Sequence, residues 1–313
     1  VAVSPIPRLL RAVLPFVVSA ALLGFLAGRV DFRAAFGAVT GRSLLFLAPA
    51  LGAYTALSLW LDAVALWRVV PAAGGALDVT TGARIKAASY AFGLVHYALG
   101  AAALVVLVRR RGRLALAEAT GVVMLISAFD LLALLGLVVL GSAFLAIEAA
   151  AVRTGLVAVL LVAVPMALVA LRTERSLGPF DRLRELRLLR SARDIPGMRL
   201  LELLGLRVLF VALFIGVGTA ALSAFGIYPP AGDLIIGFAM IALVAALPIA
   251  VAGLGTGQLA FVYAFRNAAD AETLLACSVA LSAGIISFRI ALAATFAREF
   301  AREALADTRE SAS

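Results

Sequence analysis

Apolar residues run through this chain in long unbroken stretches, and polar residues gather between them. The runs lack the period-two alternation of a membrane barrel strand, and most reach the roughly 20 residues a helix needs to cross about 30 Å of hydrocarbon. Full spans are predicted at residues 9–27, 43–67, 115–140, 156–171, 200–225 and 273–297. Two further runs are interrupted. Residues 83–108 are softened in the middle by Gly93, His96 and Gly100. Residues 233–265 break harder, at Pro248 followed by Gly253, Gly255 and Gly257. Proline removes a backbone donor and clashes with the preceding turn, and alternating glycines make a continued helix costly. The helix from about Asp233 is expected to stop near Pro248 and restart near Gln258. Its first arm would reach only about 22 Å, short of a full crossing.

A non-helical backbone at membrane depth is tolerated where protein covers it or where it lines a wet cavity. The expectation is therefore an all-α, polytopic membrane protein with about six full spans and two re-entrant helical hairpins. Each half reads as two spans, an interrupted segment and a further span. That order suggests an inverted repeat, residues 1–141 and 142–300, with a polar, frayed tail at 301–313. The positive-inside rule prefers a hairpin over a full span at 83–108 only slightly, so the repeat carries this inference. Residues 31–42 and the arginine-rich 172–199 are expected to lie as amphipathic helices in the interface. Residues 4–28 show no convincing small-residue cleavage site and read as a retained span rather than a signal peptide.

Composition agrees with this picture. Hydrophobic residues make up 64% and charged residues 14%, with a mean hydropathy of +1.10. The net charge of +9 comes from arginines at the ends of apolar runs. That is the pattern of topology signals and anionic-lipid contacts, and it gives no reason to expect nucleic acid. The lone cysteine, Cys277, sits in an apolar run and reads as a small buried hydrophobe. One histidine and one cysteine make no metal set, and no cofactor motif stands in a βαβ setting. Neither cofactor nor catalytic chemistry is expected.

The candidate chemistry lies in polar residues inside spans, where charge is costly and faces a cavity or a partner. Asp130 and Arg289 occupy equivalent last spans of the two halves, so a pair between them near the centre is one expectation. His96 is a candidate if it lines the cavity. Asp62 is expected to reach the interface with Arg68. Backbone N–H groups from Gly255 to Gln258, at the start of a helix, are a candidate phosphate site.

Pro248 with Gly253-Leu254-Gly255, Trp67-Arg68, and Arg109 to Arg111 before Gly112 together resemble the transmembrane, flippase-like domain of the lysylphosphatidylglycerol synthase family. The layout matches over nearly the whole chain, through few motifs. Asp130 and Arg289 are similar to polar positions that the family keeps within its spans. Two places differ. The acid that usually follows Gly-Leu-Gly is Gln258 here, and the first hairpin has His96 to Ala103 in place of an Asn, Pro-Gly and acid pattern. What the resemblance implies is the fold and a lipid-handling role. It hands over no cation-coupling residue at those two places.

The expected function is translocation or binding of a lipid, with an anionic phospholipid as partner, in the plasma (inner) membrane. The candidate site comprises Pro248, Gly253, Gly255, Gly257, Gln258, Arg289, Asp130 and His96. The alternative is a non-transporting scaffold or subunit of a lipid-modifying complex. An intramembrane enzyme is a distant third.

Overall fold

The computed structural model describes residues 40–93, 97–142, 186–246 and 255–310, with residues 166, 169 and 173 singly. The expected spans at 9–27 and 156–171, and most of the two interfacial segments, lie outside them. The described residues form helices and turns, with no strand among them. Four helices are long and apolar enough to cross a membrane: Gly41–Ala73, Leu116–Gly141, Gly197–Ala224 and Ala271–Phe296. They coincide with four of the predicted spans.

Helix α1 (Gly41–Val69) starts on a reciprocal cap. Ser43 N–H donates to the Thr40 hydroxyl at 3.1 Å, and Thr40 N–H donates to the Ser43 hydroxyl at 3.0 Å. Two orphan donors are thereby satisfied. At its other end the guanidinium of Arg68 stacks 4.1 Å from the Trp67 ring centroid, and Arg68 Nε stands 3.4 Å from Glu202. A 3₁₀ turn, Val70–Ala73, then stops on Gly74, whose φ of +86° is a left-handed conformation natural to glycine.

Helices α2 (Val79–Gly93) and α3 (Tyr97–Gly112) form an antiparallel pair. Their outer ends meet where Ala76 N–H donates to the Gly112 carbonyl at 3.3 Å. Their inner ends meet at two glycines. A Cβ on Gly100 would stand 2.7 Å from Gly93 Cα, so only glycine permits this approach. Each helix rises only about 22–24 Å, less than a bilayer core. Helix α4 (Leu116–Ser142) follows. The short α5 (Arg190–Asp194), preceded by the 3₁₀ turn Arg187–Leu189, tucks against the same end of the bundle, where the Leu188 carbonyl presses on Gly121.

Helix α6 (Gly197–Ala224), α7 (Ala231–Ala246), α8 (Thr256–Phe265) and α9 (Ala271–Glu310) repeat the order span, helical pair, span. The expected restart is present: α8 starts at Thr256 after Gly255, whose φ of +90° is not helical, while residues 247–254 lie outside the described residues. The mouth of this pair, where Gly237 meets the Phe265 ring, lies by the far end of α4, where Gly141 meets Ile235 and Ile236. Ala76 and Gly112, at one end of the α2/α3 pair, thus lie at the end of the bundle that holds Arg68 and Arg109 to Arg113, whereas Gly237 and Phe265 of the α7/α8 pair lie toward the other end of α4. One correction concerns the tail. It is helical as far as Glu310, because α9 continues unbroken past the apolar span.

Two apolar cores flank the middle of the bundle. One gathers Val69, Val70, Ile85, Val108, Val122, Ile195 and Leu203 near the arginine-rich end. The other is aromatic: the Phe238 ring packs against Phe214, Phe261 and Phe265 at centroid distances of 5.7, 5.9 and 5.2 Å. Edge-on and tilted packing of this kind adds to the area that the rings bury. Cys277 is buried in this second core, as expected.

Candidate functional site

Between the cores the helices place charge inside the span region. Arg207 stands in the apolar stretch of α6 and is fully buried. Such a group persists only when its donors find acceptors. Its Nη1 donates to Asp62 Oδ1 at 2.7 Å and faces Asp130 Oδ1 at 3.5 Å, and its Nη2 donates to the Leu61 carbonyl at 3.1 Å. Its Nε is buried without a hydrogen-bond partner. Phe210, about one turn further along α6, covers the guanidinium with its ring centroid 5.1 Å away. The second oxygen of Asp62 takes Lys86 Nζ at 3.1 Å. Asp62 on α1 thus bridges a cation from α2 and another from α6.

Asp130 is the less confined acid, with 36% of its side chain exposed against 6% for Asp62. It looks into a cavity of about 400 Å³, whose lining also includes Asp62, Lys86 and Arg289. Arg289, on α9, lies 4.9 Å from the Tyr90 ring centroid and within hydrogen-bond reach of the Tyr54 hydroxyl. No carboxylate pairs with Arg289 among the described residues. The wall also carries Ser89 and Ser127 and many apolar side chains, among them Leu104, Ile126, Leu134, Phe214 and Ile286.

Asp130 and Arg289 do share this cavity, but the expected pair between them is corrected. The carboxylate of Asp130 faces Arg207, because α6 packs beside α4 and delivers a guanidinium there first. The expectation that Asp62 reaches toward Arg68 is also corrected. Asp62 points inward to Arg207 and Lys86, while Arg68 pairs with Glu202. Gly255, Gly257 and Gln258 stand at the start of α8, away from the cavity lining. Gly255 holds a φ of +90°, so it needs to be glycine. Gly257 does not: it is helical, and a Cβ there would meet nothing within 4 Å. Gln258 is buried, and its amide oxygen accepts from Gly255 N–H at 2.7 Å while its amide nitrogen reaches Ser282 at 3.3 Å. The side chain of Gln258 therefore occupies one of the donors proposed for phosphate. Pro248, Gly253 and His96 lie outside the described residues. Gly93 and Gly100, on either side of His96, line the cavity.

Sequence reasoning passed over Arg207, Lys86, Tyr54 and Tyr90. A signal was there for Arg207: an arginine flanked by Leu206, Val208, Leu209 and Phe210 deserves the same weight as Arg289. It sat close enough to Arg199 to look like the start of a span. Lys86 stands near the start of the interrupted run 83–108, where it looked like an end-of-run cation, and α2 carries it inside.

The arrangement defines a helical, multi-pass membrane protein built around a charged central cavity. The family model described as the lysylphosphatidylglycerol synthase TM region matches residues 12–295. The chain belongs to that family. No curated protein matches it closely.

Proposed function

We propose that this protein is a flippase-like lipid translocase or lipid-binding transporter of the plasma (inner) membrane, acting on an anionic phospholipid. The observation that carries the reading is Arg289. It is a cation within the span region, at the wall of a cavity, with two tyrosines beside it and no carboxylate pairing with it among the described residues. A cation at that depth with no paired carboxylate among the described residues calls for a counter-ion, and a lipid phosphate supplies one while its acyl chains stay against apolar side chains.

The α2/α3 and α7/α8 pairs act in this reading as re-entrant hairpins from opposite faces, giving an inverted repeat with the cavity at its centre. The meeting of Ala76 with Gly112 at one end of the α2/α3 pair and of Gly93 with Gly100 at the other supports it. We assign no catalytic step. The test is reconstitution of the purified chain in liposomes with a headgroup-labelled anionic phospholipid in one leaflet. Transbilayer movement without a partner protein is expected, and Arg289→Gln should abolish it. Full activity in the Arg289→Gln protein would refute the site. An inactive but well-folded wild type would favour the scaffold alternative.

A further inference from the structure

A second cleft, of about 150 Å³, opens between α7 and α8, toward the end of the bundle away from Arg68. We propose that it binds a small zwitterion, with a primary ammonium and an oxyanion on one molecule or headgroup. Helix α7 contributes Asp233, Ile236, Gly237 and Met240, which recur at three- and four-residue spacing and so share one face. Ala242 and Ala245, which line the central cavity, fall on the other side of α7 at about 100° per residue. Helix α7 thus stands between the two sites, and the case for the cleft does not depend on what the central cavity takes.

The cleft is preformed. A Cβ on Gly237 would stand 2.8 Å from the Phe265 ring, so glycine lets α7 and α8 approach closely there, and the Phe238 and Phe265 rings pack at 5.2 Å. From the first turn of α7, Asp233 presents a carboxylate, an acceptor without donors. At the end of α8, Arg266 and the following Asn267 present N–H donors. Each charge suits the helix end it occupies. Opposite charges in one small cleft attract, yet no ion pair joins Asp233 to Arg266 among the described residues. The guanidinium of Arg266 lies over the Tyr263 ring instead, 4.2 Å from its centroid. An acceptor and an oriented donor set are therefore held apart, and a ligand with complementary ends satisfies both. A primary ammonium brings three donors to the carboxylate, and a phosphate or carboxylate oxygen meets the guanidinium. Tyr228 and Tyr263 are both exposed at this end, as in an interfacial aromatic belt, which sets the cleft at headgroup level.

Native mass spectrometry of the full chain released from nanodiscs tests this with three lipids. Phosphatidylethanolamine carries both groups, phosphatidylcholine has no N–H on its ammonium, and phosphatidylglycerol has no ammonium. Phosphatidylethanolamine should be retained about fivefold above either, the scale of one partly exposed charge-assisted hydrogen bond. Asp233→Asn should erase its advantage over phosphatidylglycerol, Asp233→Glu should keep it, and Arg266→Gln should weaken its retention about fivefold. Arg289→Gln, across α7, should leave the advantage in place. Soluble phosphoethanolamine separates the two sources of the ligand. Displacement of the lipid at equal concentration assigns the cleft to a free zwitterion, and failure to displace it assigns the cleft to a lipid headgroup. Equal retention of the three lipids with no binding of phosphoethanolamine overturns the proposal. So does an ethanolamine advantage that survives Asp233→Asn or is lost in Arg289→Gln. If Asp233 and Arg266 serve only as helix-end charges, their substitution lowers the melting temperature without changing the ranking, and that outcome also overturns it. The wild-type ranking and Arg266→Gln decide the matter if Asp233→Asn does not fold.

Discussion

Replacing Asp62 by Asn removes one charge and changes almost no volume, yet it should be among the most damaging single substitutions in the bundle. Asp62 alone touches both buried cations, with Arg207 at 2.7 Å and Lys86 at 3.1 Å. After Asp62→Asn the triad holds two positive charges, and the nearest remaining carboxylate is Asp130, 3.5 Å from Arg207. Breaking a buried pair on one side typically costs about 3–5 kcal/mol, chiefly for the charge left behind. Lys86 keeps 23% of its side chain exposed and can turn toward water, so most of the penalty falls on Arg207, whose side chain has no exposure. Removing both partners, as Asp62→Asn with Arg207→Gln, leaves two neutral amides in their place. The double variant should then lose less than the sum of the singles, by about 2–3 kcal/mol of coupling. Equilibrium unfolding of the purified chain in mixed micelles, or steric trapping in bicelles, gives the four corners of the cycle. Additivity to within about 0.5 kcal/mol would refute the idea that this pair organises the core.

Two further outcomes follow from the same geometry. Gly255→Ala forces a side chain into a φ of +90° and should cost about 1–3 kcal/mol, whereas Gly257→Ala, in an open helical position, should be neutral or stabilising by up to about 1 kcal/mol; thermal unfolding of the two variants side by side checks the contrast, and equal effects would remove the case for a special backbone at Gly255. Asp270 caps α9 by accepting from Thr273 N–H at 2.8 Å and from its hydroxyl at 2.9 Å, and these bonds hold its carboxyl below the usual range. A depressed folded-state pKa gives stability that is complete above the unfolded value near 4 and is lost as pH falls through the folded value, so amide exchange in the first turn of α9 should quicken only below about pH 4, in the wild type and not in Asp270→Asn. The cap is exposed and its contribution is at most about 1 kcal/mol, so a global change in unfolding pH would point to another group.

Much of the fold was legible because the membrane makes hydropathy informative. With no water to satisfy a bare backbone, a long apolar run has few options besides a helix. The four described spans fall within a few residues of the predicted ones, and the restart of α8 at Thr256, after Gly255, lies within two residues of the one expected near Gln258. The site was less legible, and for a definite reason. Asp62, Asp130 and Arg289 were visible as charges in apolar sequence, but partnership between helices depends on which faces touch. Period and hydropathy do not encode that. Asp130 and Arg289 looked like partners because they hold equivalent places in the two halves. The structure gives Asp130 to Arg207, from a helix that sequence position alone did not put nearby. Gly257 was misjudged in the opposite direction, since three alternating glycines suggest one continuous special loop, yet Gly257 is helical while Gly255 holds a positive φ.

The two arginines divide the work of joining the halves in unequal ways. Both come from the second half, on α6 and α9, and the cross-helix partners described for each come from the first, on α1, α2 and α4. Arg207, itself without exposure, is held by two carboxylates and a backbone carbonyl, and losing the buried Asp62 strands its charge. Arg289 stands against the Tyr90 ring with the Tyr54 phenol nearby, and neither is left charged if the contact opens. Cation–π contacts are worth about 0.5–2 kcal/mol, against several for a one-sided break of a buried ion pair. Any relative movement of the halves therefore meets far more resistance at Arg207 than at Arg289. The weaker of the two contacts is the one on the cavity wall, so under the proposed function a lipid phosphate taking over Arg289 would replace a cheap interaction with a strong one. The joint at Arg207 is left undisturbed.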